Sequence, residues 1–248
     1  ILGWNNLAAV EARLAKGDVA ALLMEAAMCN QGAISPAPGY LEGVQAACRK
    51  YGTLLIFDEV ITGFRLGQGG AQKLFGVTPD ISIFAKAIAN GFPVAAIAGR
   101  ADLIDMFATG GVLHGGTFNA QPVAMAAMIG TQQGLTSEHY ERTSVYGNRL
   151  QAGIRDILNE AGIRAQVTGF PLMFHIAFGL ETPARNYREM ARSDKKGYSL
   201  FALALLQRGV RVLERGAWFV SSEHNDDVVD ATLDVVRDAA REVAPKIG

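Results

Sequence analysis

Two acidic residues directly follow four apolar residues in the stretch TLLIFDEV, residues 53–60. The apolar run predicts that Asp58, the first of these acids, ends a buried strand, where a carboxylate needs a cation or a hydrogen-bond donor as its partner. Such a carboxylate can equally cap a helix or form an ion pair, so Asp58 alone indicates no function. The second acid, Glu59, is interpreted as a supporting or structural residue.

A lysine follows the next apolar strand, in the segment DISIFAKAIANGFP. Lys86 lies between Phe84-Ala85 and Ala87-Ile88, so apolar or small residues flank its aliphatic stem. Burial of that stem would favour the uncharged amine, which is the form that makes a Schiff base. The alternative is a lysine whose charged end reaches solvent, as many surface lysines do.

The segment HGGTFNAQP offers a third chemical group. Gly115 and Gly116 precede Thr117 at the approach to a predicted helix, so backbone N–H groups and a hydroxyl could bind a phosphate; a flexible turn is the alternative. An amine, a carboxylate and phosphate donors are together what pyridoxal 5'-phosphate (PLP) needs. Its aldehyde reacts with the amine, and its protonated pyridine nitrogen pairs with the carboxylate.

Continuous apolar runs alternate with helical patterns through the first half of the chain. Such runs indicate a largely parallel sheet covered on both faces, in which ligands bind outside the carboxyl ends of the strands. Glu25, Asp58 and Lys86 all follow apolar runs, so we expect them to gather at one edge of the sheet. The patterns predict strands at residues 19–24, 53–60, 80–85 and 93–98, and helices at 40–51 and 121–135.

The pattern changes near residue 137. The remaining chain predicts an α+β unit with a helix at 141–161, a strand pair within 165–178, a helix at 198–208, a strand at 210–213 and a helix at 226–243. The predicted fold class is therefore α/β, a mostly parallel sheet covered by helices, with a smaller C-terminal α+β domain. We expect the boundary to separate domains 1–136 and 137–248.

Composition excludes several classes of function. The 248 residues carry a net charge of −1 with a pI near 6.5, so no basic field favours nucleic acid or an anionic membrane. The apolar runs are shorter than the roughly 20 residues of a membrane span. Two isolated cysteines and four scattered histidines show no metal-ligand spacing, so we expect no metal site and a cytoplasmic protein.

From about Trp4 to the C-terminus, and most densely over residues 56–100, the sequence resembles the class III, fold type I PLP-dependent aminotransferases, and within them the glutamate-1-semialdehyde aminomutase-like branch. The blocks that carry the resemblance are DEVITGFR and PDISIFAKAIANGFP, in the order and spacing typical of that family. The resemblance implies that Asp58 pairs with the pyridine nitrogen and that Val60 packs on the cofactor ring. It makes Lys86 the Schiff-base lysine, which also shuttles a proton. It assigns Thr117 to the cofactor phosphate of the neighbouring subunit, and so implies a homodimer with shared sites.

The resemblance also raises points on the substrate. Arg215 lies in the stretch LERGAWFVSSEH, where some relatives acting on β-amino acids use an arginine to bind the substrate carboxylate; a solvated surface charge is the alternative. Asn119 and Gln121 are further candidates for lining the pocket. Glu25 is followed by Ala-Ala where the family usually has Pro-Val, which leaves the geometry of that loop open.

The implied activity is transfer of an amino group between an amino acid, which could be a β-amino acid, and a keto acid or aldehyde. Intramolecular 1,2-amino transfer, as in glutamate-1-semialdehyde 2,1-aminomutase, is the alternative. We also expect that the family's N-terminal part, with its phosphate-binding turn, is absent from this sequence and belongs to the same or another chain. An inactive structural or proteolytic fragment is the alternative of another class.

Overall fold

The structure is a computed structural model that describes residues 1–247, and it divides into two compact units. The first unit contains Ile1–Leu2, Asn6–Ala27 and Pro36–Ser137. The second contains Gly3–Asn5, Met28–Ser35 and the chain from Glu138 onward. None of the helices that residues 1–247 form combines the length and hydrophobicity needed to cross a lipid bilayer.

A four-stranded sheet forms the centre of the first unit. Its strands are β1 (Ala21–Glu25), β2 (Leu54–Asp58), β3 (Ile81–Phe84) and β4 (Ala96–Gly99), and they are hydrogen-bonded in that order. β1 and β2 are parallel, as are β2 and β3, whereas β4 is antiparallel to β3. This arrangement confirms the predicted α/β fold with a mostly parallel sheet.

The first unit also contains the helices α1 (Leu7–Leu14), α2 (Tyr40–Tyr51), α3 (Gly70–Phe75), α4 (Ala101–Ala108) and α5 (Pro122–Gly134). Helix α2 connects β1 to β2, and α3 lies between β2 and β3. Helix α2 has the bounds that the sequence predicts, because Leu41, Val44 and Cys48 form one buried face. Gly52 ends α2 in a left-handed conformation, with φ of 68°, and its N–H donates to the Cys48 carbonyl.

The second unit contains an antiparallel sheet of three strands, in the order β5 (Ala165–Phe170), β6 (Met173–Phe178) and β7 (Ala217–Phe219). Every residue of the central strand β6 is buried. Its core includes Phe174 and Phe178 from β6, and Trp218, whose indole Nε1–H donates to the Tyr198 hydroxyl at 2.9 Å. Its helices are α6 (Ser137–Glu160), α7 (Tyr187–Met190), α8 (Lys195–Gln207) and α9 (Asp226–Val243).

The prediction of a strand at residues 210–213 is wrong. Residues 210–213 are irregular, and the strand that pairs with β6 is β7, a few residues later. The Val210 N–H donates to the Leu205 carbonyl and so finishes the end of α8. Leu213 and Ala217 then close a turn in which Gly216 has φ of 105°, and only after that turn does the chain meet β6.

The segment Met28–Ser35 belongs to the second unit, although it precedes the domain boundary expected near residue 137. Met28 and Ile34 pack in a buried apolar cluster with Ala177 and Met190. Thr168 also donates from its hydroxyl to the backbone carbonyl of Gly32, which lies within this segment. Contacts that are distant in sequence therefore decide where this segment belongs.

Candidate active site

The ends of β2 and β3 bring the two leading candidates to one edge of the first sheet. β2 and β3 are parallel neighbours, and Asp58 is in register with Ile83. Lys86 comes just after β3, which ends at Phe84. Asp58 is the last residue of β2, and Lys86 lies two residues beyond the end of β3. Both therefore lie at the carboxyl ends of adjacent parallel strands, where open α/β sheets bind ligands.

Lys86 has a backbone conformation that is unusual for a lysine. Its φ is 50°, in the left-handed region, and it opens a 3₁₀ turn, Lys86–Ala89. An L-residue in this region costs about 1–2 kcal/mol, and residues held in this way cluster at functional sites. The strain turns the chain sharply as it leaves β3 and directs the lysine away from the strand's own course.

The expectation that the stem of Lys86 is buried is wrong for this chain, because the lysine is exposed. Its apolar neighbours do not cover it: in the 3₁₀ turn the buried residues are Ile88 and Ala89. The left-handed turn at Lys86 sends these later residues into the protein and leaves the lysine outside. Its amine is accessible to a ligand at the sheet edge.

The carboxylate of Asp58 is half-buried and already oriented. Its Oδ1 accepts a hydrogen bond from the Val60 N–H at 2.9 Å, an Asx turn that fixes the carboxylate relative to its own backbone. No helix begins here, since the chain continues as a turn, so Asp58 is not a helix cap. Within residues 1–247 its Oδ2 accepts no hydrogen bond, and a ligand could use this atom as an acceptor.

Glu59 points the other way and is fully buried, at 0% exposure. Its Oε2 accepts from the Thr62 hydroxyl at 2.7 Å and from the Ala71 N–H at 2.8 Å. Its Oε1 accepts from the backbone N–H and the side-chain amide of Gln72, at 3.0 and 3.2 Å. These four donors are all neutral groups, and they satisfy an acceptor-only side chain in the interior.

The chain after Glu59 is packed tightly against β3. A Cβ atom at Gly63 would lie 2.5 Å from the Phe84 ring and 2.7 Å from the Glu59 carbonyl oxygen, so a larger residue does not fit at Gly63. Phe64 has φ of 58°, and its ring lies 5.4 Å from that of Phe84. The segment between β2 and α3 is thus a compact structure and not a loose connection.

Thr117 and Asn119 lie in an exposed turn, which the Asn119 N–H closes by donating to the Gly116 carbonyl at 3.0 Å. Among the described residues, no hydrogen bond or ion pair joins this turn to Asp58 or Lys86. Gln121 has a structural function, since its side-chain oxygen accepts from the Ala124 N–H at 2.7 Å and caps α5.

Arg215 lies in the turn between α8 and β7, with an exposed side chain and an anchored backbone. Its carbonyl oxygen accepts from Nε2 of His175, on β6, at 2.7 Å. His175 is only 5% exposed, and burial lowers its pKa from the ordinary value of 6.5. The imidazole has no room for a larger neighbour, because a Cβ at Gly216 would lie 2.5 Å from the ring.

Sequence reasoning missed three features of these sites. It did not identify the left-handed conformation of Lys86, the four donors around Glu59 or the contact between His175 and the Arg215 carbonyl. The glycines at positions 63, 70 and 216 were the available indication, because each meets a side chain at a distance where no Cβ fits. Among residues 1–247, no group of three or more histidine, cysteine or acidic side chains is placed to hold a metal ion.

Comparison with known proteins matches most of the chain to one family. The family model for aminotransferase class-III matches residues 3–236. The glutamate-1-semialdehyde 2,1-aminomutase of Methanothrix thermoacetophila is 39% identical over 240 residues, which make up 96% of this chain and 56% of that protein. The chain thus spans little more than half the length of this curated relative.

Solved structures resemble the chain over nearly its whole length. An omega-transaminase from Sphaerobacter thermophilus superposes with a TM-score of 0.91 at 33% identity, covering 98% of this chain and 56% of that protein. A variant glutamate-1-semialdehyde-aminomutase from Pseudomonas aeruginosa PAO1, in complex with PMP, gives a TM-score of 0.89 at 27% identity, with the same coverage of both chains.

Proposed function

We propose, since this chain belongs to the class-III aminotransferase family, that it takes part in PLP-dependent transfer of an amino group. The donor would be an amino acid, which could be a β-amino acid, and the acceptor a keto acid or an aldehyde. The observation that carries the proposal is the placement of Asp58 and Lys86 at the carboxyl ends of adjacent parallel strands, with Lys86 held in a left-handed conformation.

The residues at this edge of the sheet fit PLP chemically. Lys86 offers an exposed primary amine for covalent attachment to the aldehyde, and Asp58 offers an oriented carboxylate with one acceptor atom to spare. Val60, which is half-buried and whose N–H donates to the Asp58 carboxylate, follows the two acids in sequence and would contact the ring. Bound PLP supplies an electron sink for the bonds at the amino-bearing carbon of the substrate.

Each residue then has a defined task. Asp58 keeps a proton on the pyridine nitrogen, because its carboxylate stabilises the positive charge there. Lys86 binds the cofactor before the substrate arrives, and its Nζ afterwards accepts and returns the proton of the substrate carbon. The exposed guanidinium of Arg215 would pair with a substrate carboxylate, which a bidentate contact suits.

Intramolecular 1,2-amino transfer is the second candidate, favoured by the 39% identity to a glutamate-1-semialdehyde 2,1-aminomutase. The two reactions need different partners. An aminomutase converts a single substrate with no added acceptor, whereas an aminotransferase stops after one half-reaction unless a keto acid or aldehyde is supplied. Turnover with one substrate alone therefore decides between them.

Assembly and location belong to the same proposal. The exposed turn with Thr117 and Asn119 would reach the cofactor phosphate and pocket of a neighbouring subunit, so the protein would work as a homodimer. The two isolated cysteines favour a reducing compartment, which for this protein would be the cytoplasm.

The proposed function is tested by loading the purified protein with PLP, reducing it with borohydride and mapping the modified peptide by mass spectrometry. We expect a pyridoxyl group on Lys86, and Lys86→Ala should bind PLP only reversibly and lose transamination. A folded protein that remains colourless with excess PLP would instead favour a structural domain without activity. Modification of another lysine would remove Lys86 from the site.

A further inference from the structure

We propose that Glu59 is a positioning residue, whose buried carboxylate fixes the orientation of Asp58 and holds it at a set distance from the strand that leads to Lys86. The proposal deepens the function proposed above and rests on it. Glu59 itself would touch neither cofactor nor substrate, because it is fully buried and faces away from the exposed edge.

Buried and half-buried side chains alternate along the chain at the end of β2. Phe57 and Glu59 are both fully buried, whereas Asp58 between them is half-buried. Successive side chains of an extended segment point to opposite faces, so burial of Glu59 turns Asp58 toward the ligand edge. Anchoring the second acid therefore determines where the first one points.

The segment that follows Glu59 anchors its carboxylate. Its carboxylate binds the N–H groups of Ala71 and Gln72 at the start of α3, and the Thr62 hydroxyl within the intervening turn. Gly70 leaves room for it: a Cβ there would lie 2.4 Å from Oε2. One side chain thus joins both ends of the segment that follows Asp58.

Hydrogen bonds also link this segment to β3. The Glu59 N–H donates to the Ile83 carbonyl at 2.9 Å. The Gln72 side-chain amide, which donates to Glu59, also donates to the buried Ser82 hydroxyl at 3.1 Å. Ser82 and Ile83 lie on the strand that delivers Lys86, so Glu59 is connected to the strands of both proposed catalytic residues.

Hydrogen exchange in the cofactor-free protein separates this role from simple support of α3. The Val60 N–H donates to Asp58 Oδ1, so protection of this amide reports the orientation of the Asp58 carboxylate. Glu59→Gln replaces one of the two acceptor oxygens with an NH₂ group, which cannot accept from the surrounding donors. We therefore expect amide hydrogen exchange at Val60, Ala71 and Gln72 to accelerate together, about 10-fold or more. Acceleration at Ala71 and Gln72 with Val60 unchanged would overturn the proposal.

A second variant reaches the same carboxylate without removing it. Gly70→Ala places a methyl group against Oε2 and also strains the backbone, because Gly70 has φ of 59°; it should accelerate exchange at Val60 as Glu59→Gln does. Tyr198→Phe is the control, because it removes a buried hydrogen bond in the second unit and lowers stability without touching Glu59. If Tyr198→Phe, at equal loss of stability, accelerates Val60 as much, the effect is general and the proposal fails.

With PLP bound, Glu59→Gln should lower kcat by about 10–100-fold with little change in KM, the scale expected when a catalytic group is displaced by a fraction of an ångström to 1 Å. The visible absorbance of the loaded protein should titrate at a different pH from that of the wild type, and Tyr198→Phe should leave it unchanged. If the wild type does not load PLP, the proposed function fails. The exchange at Val60 still decides the role of Glu59.

Discussion

The left-handed conformation of Lys86 leads to a prediction about stability that is opposite to the usual effect of glycine. Lys86→Gly should be more stable than Lys86→Ala, because glycine adopts φ of 50° without the clash that a Cβ atom causes. Both variants lack the amine, so covalent attachment of a cofactor contributes to neither. Their difference isolates the backbone at this position.

The magnitude follows from two opposing effects. Relief of the left-handed strain favours glycine by about 1–2 kcal/mol. Glycine also loses more conformational freedom on folding than alanine, which costs about 0.4–1 kcal/mol. The glycine variant should therefore be more stable by about 0.8 kcal/mol, the middle of the range that these effects allow.

Guanidinium unfolding of the two variants, fitted with a common slope, measures this difference directly. The matched control is Ala46, an exposed residue in the interior of α2, where Ala46→Gly should lower the free energy of unfolding by about 1 kcal/mol. Glycine in place of alanine should thus raise the free energy of unfolding at position 86 and lower it at position 46. If Lys86→Gly is less stable than Lys86→Ala by as much as the control, Lys86 carries no strain and this reasoning is refuted.

Three further predictions concern the site and the second unit. Asp58→Asn should lower kcat by about 10³-fold, the scale of losing one preorganised electrostatic partner, and a near-normal rate in steady-state assays would remove Asp58 from the site. Arg215→Ala should raise KM about 10–100-fold for substrates that carry a carboxylate, as expected for a lost hydrogen bond between charged groups; an equal loss for neutral amines would show that Arg215 has only a structural role. Because burial lowers the pKa of His175, the unfolded chain binds its proton more tightly, and stability should decline as the pH falls below 6.5, by up to about 1.4 kcal/mol per pH unit. Urea unfolding at pH 5.5 and 7.5 measures this decline, which should be smaller in His175→Gln.

The sequence predicted the bounds of helices most accurately where nearby residues cap the helix. Helices α2 and α9 have the predicted bounds because periodic apolar residues end at a glycine in α2, while the Asn225 side chain caps the start of α9. The strand at 210–213 failed because Val210 and Val212 look like strand residues. Pairing with β6 is decided by a turn and by a distant partner, which no local pattern contains.

The candidate site was predicted in its residue types and not in its conformation. Parallel strands place Asp58 and Lys86 at one edge, and this follows from apolar runs alone. The exposure of Lys86 does not follow from the sequence, because the same apolar neighbours are compatible with a chain that continues straight and with one that turns at φ of 50°. Only the folded backbone shows which of these happens.

The pair Asp58-Glu59 illustrates why adjacent acids can have different physical roles. Burying a carboxylate is unfavourable unless donors compensate, and Glu59 has four, supplied by a turn and a helix start that are folded around it. The strained Lys86, just beyond the next strand, is a second local cost at the same edge. Glycine at position 86 would remove the strain, whereas an apolar residue at position 59 would leave the N–H groups of Ala71 and Gln72 without an acceptor. In the proposed site, the anchored Glu59 and the strained Lys86 backbone would together hold the Asp58 carboxylate and the Lys86 amine in a fixed relation.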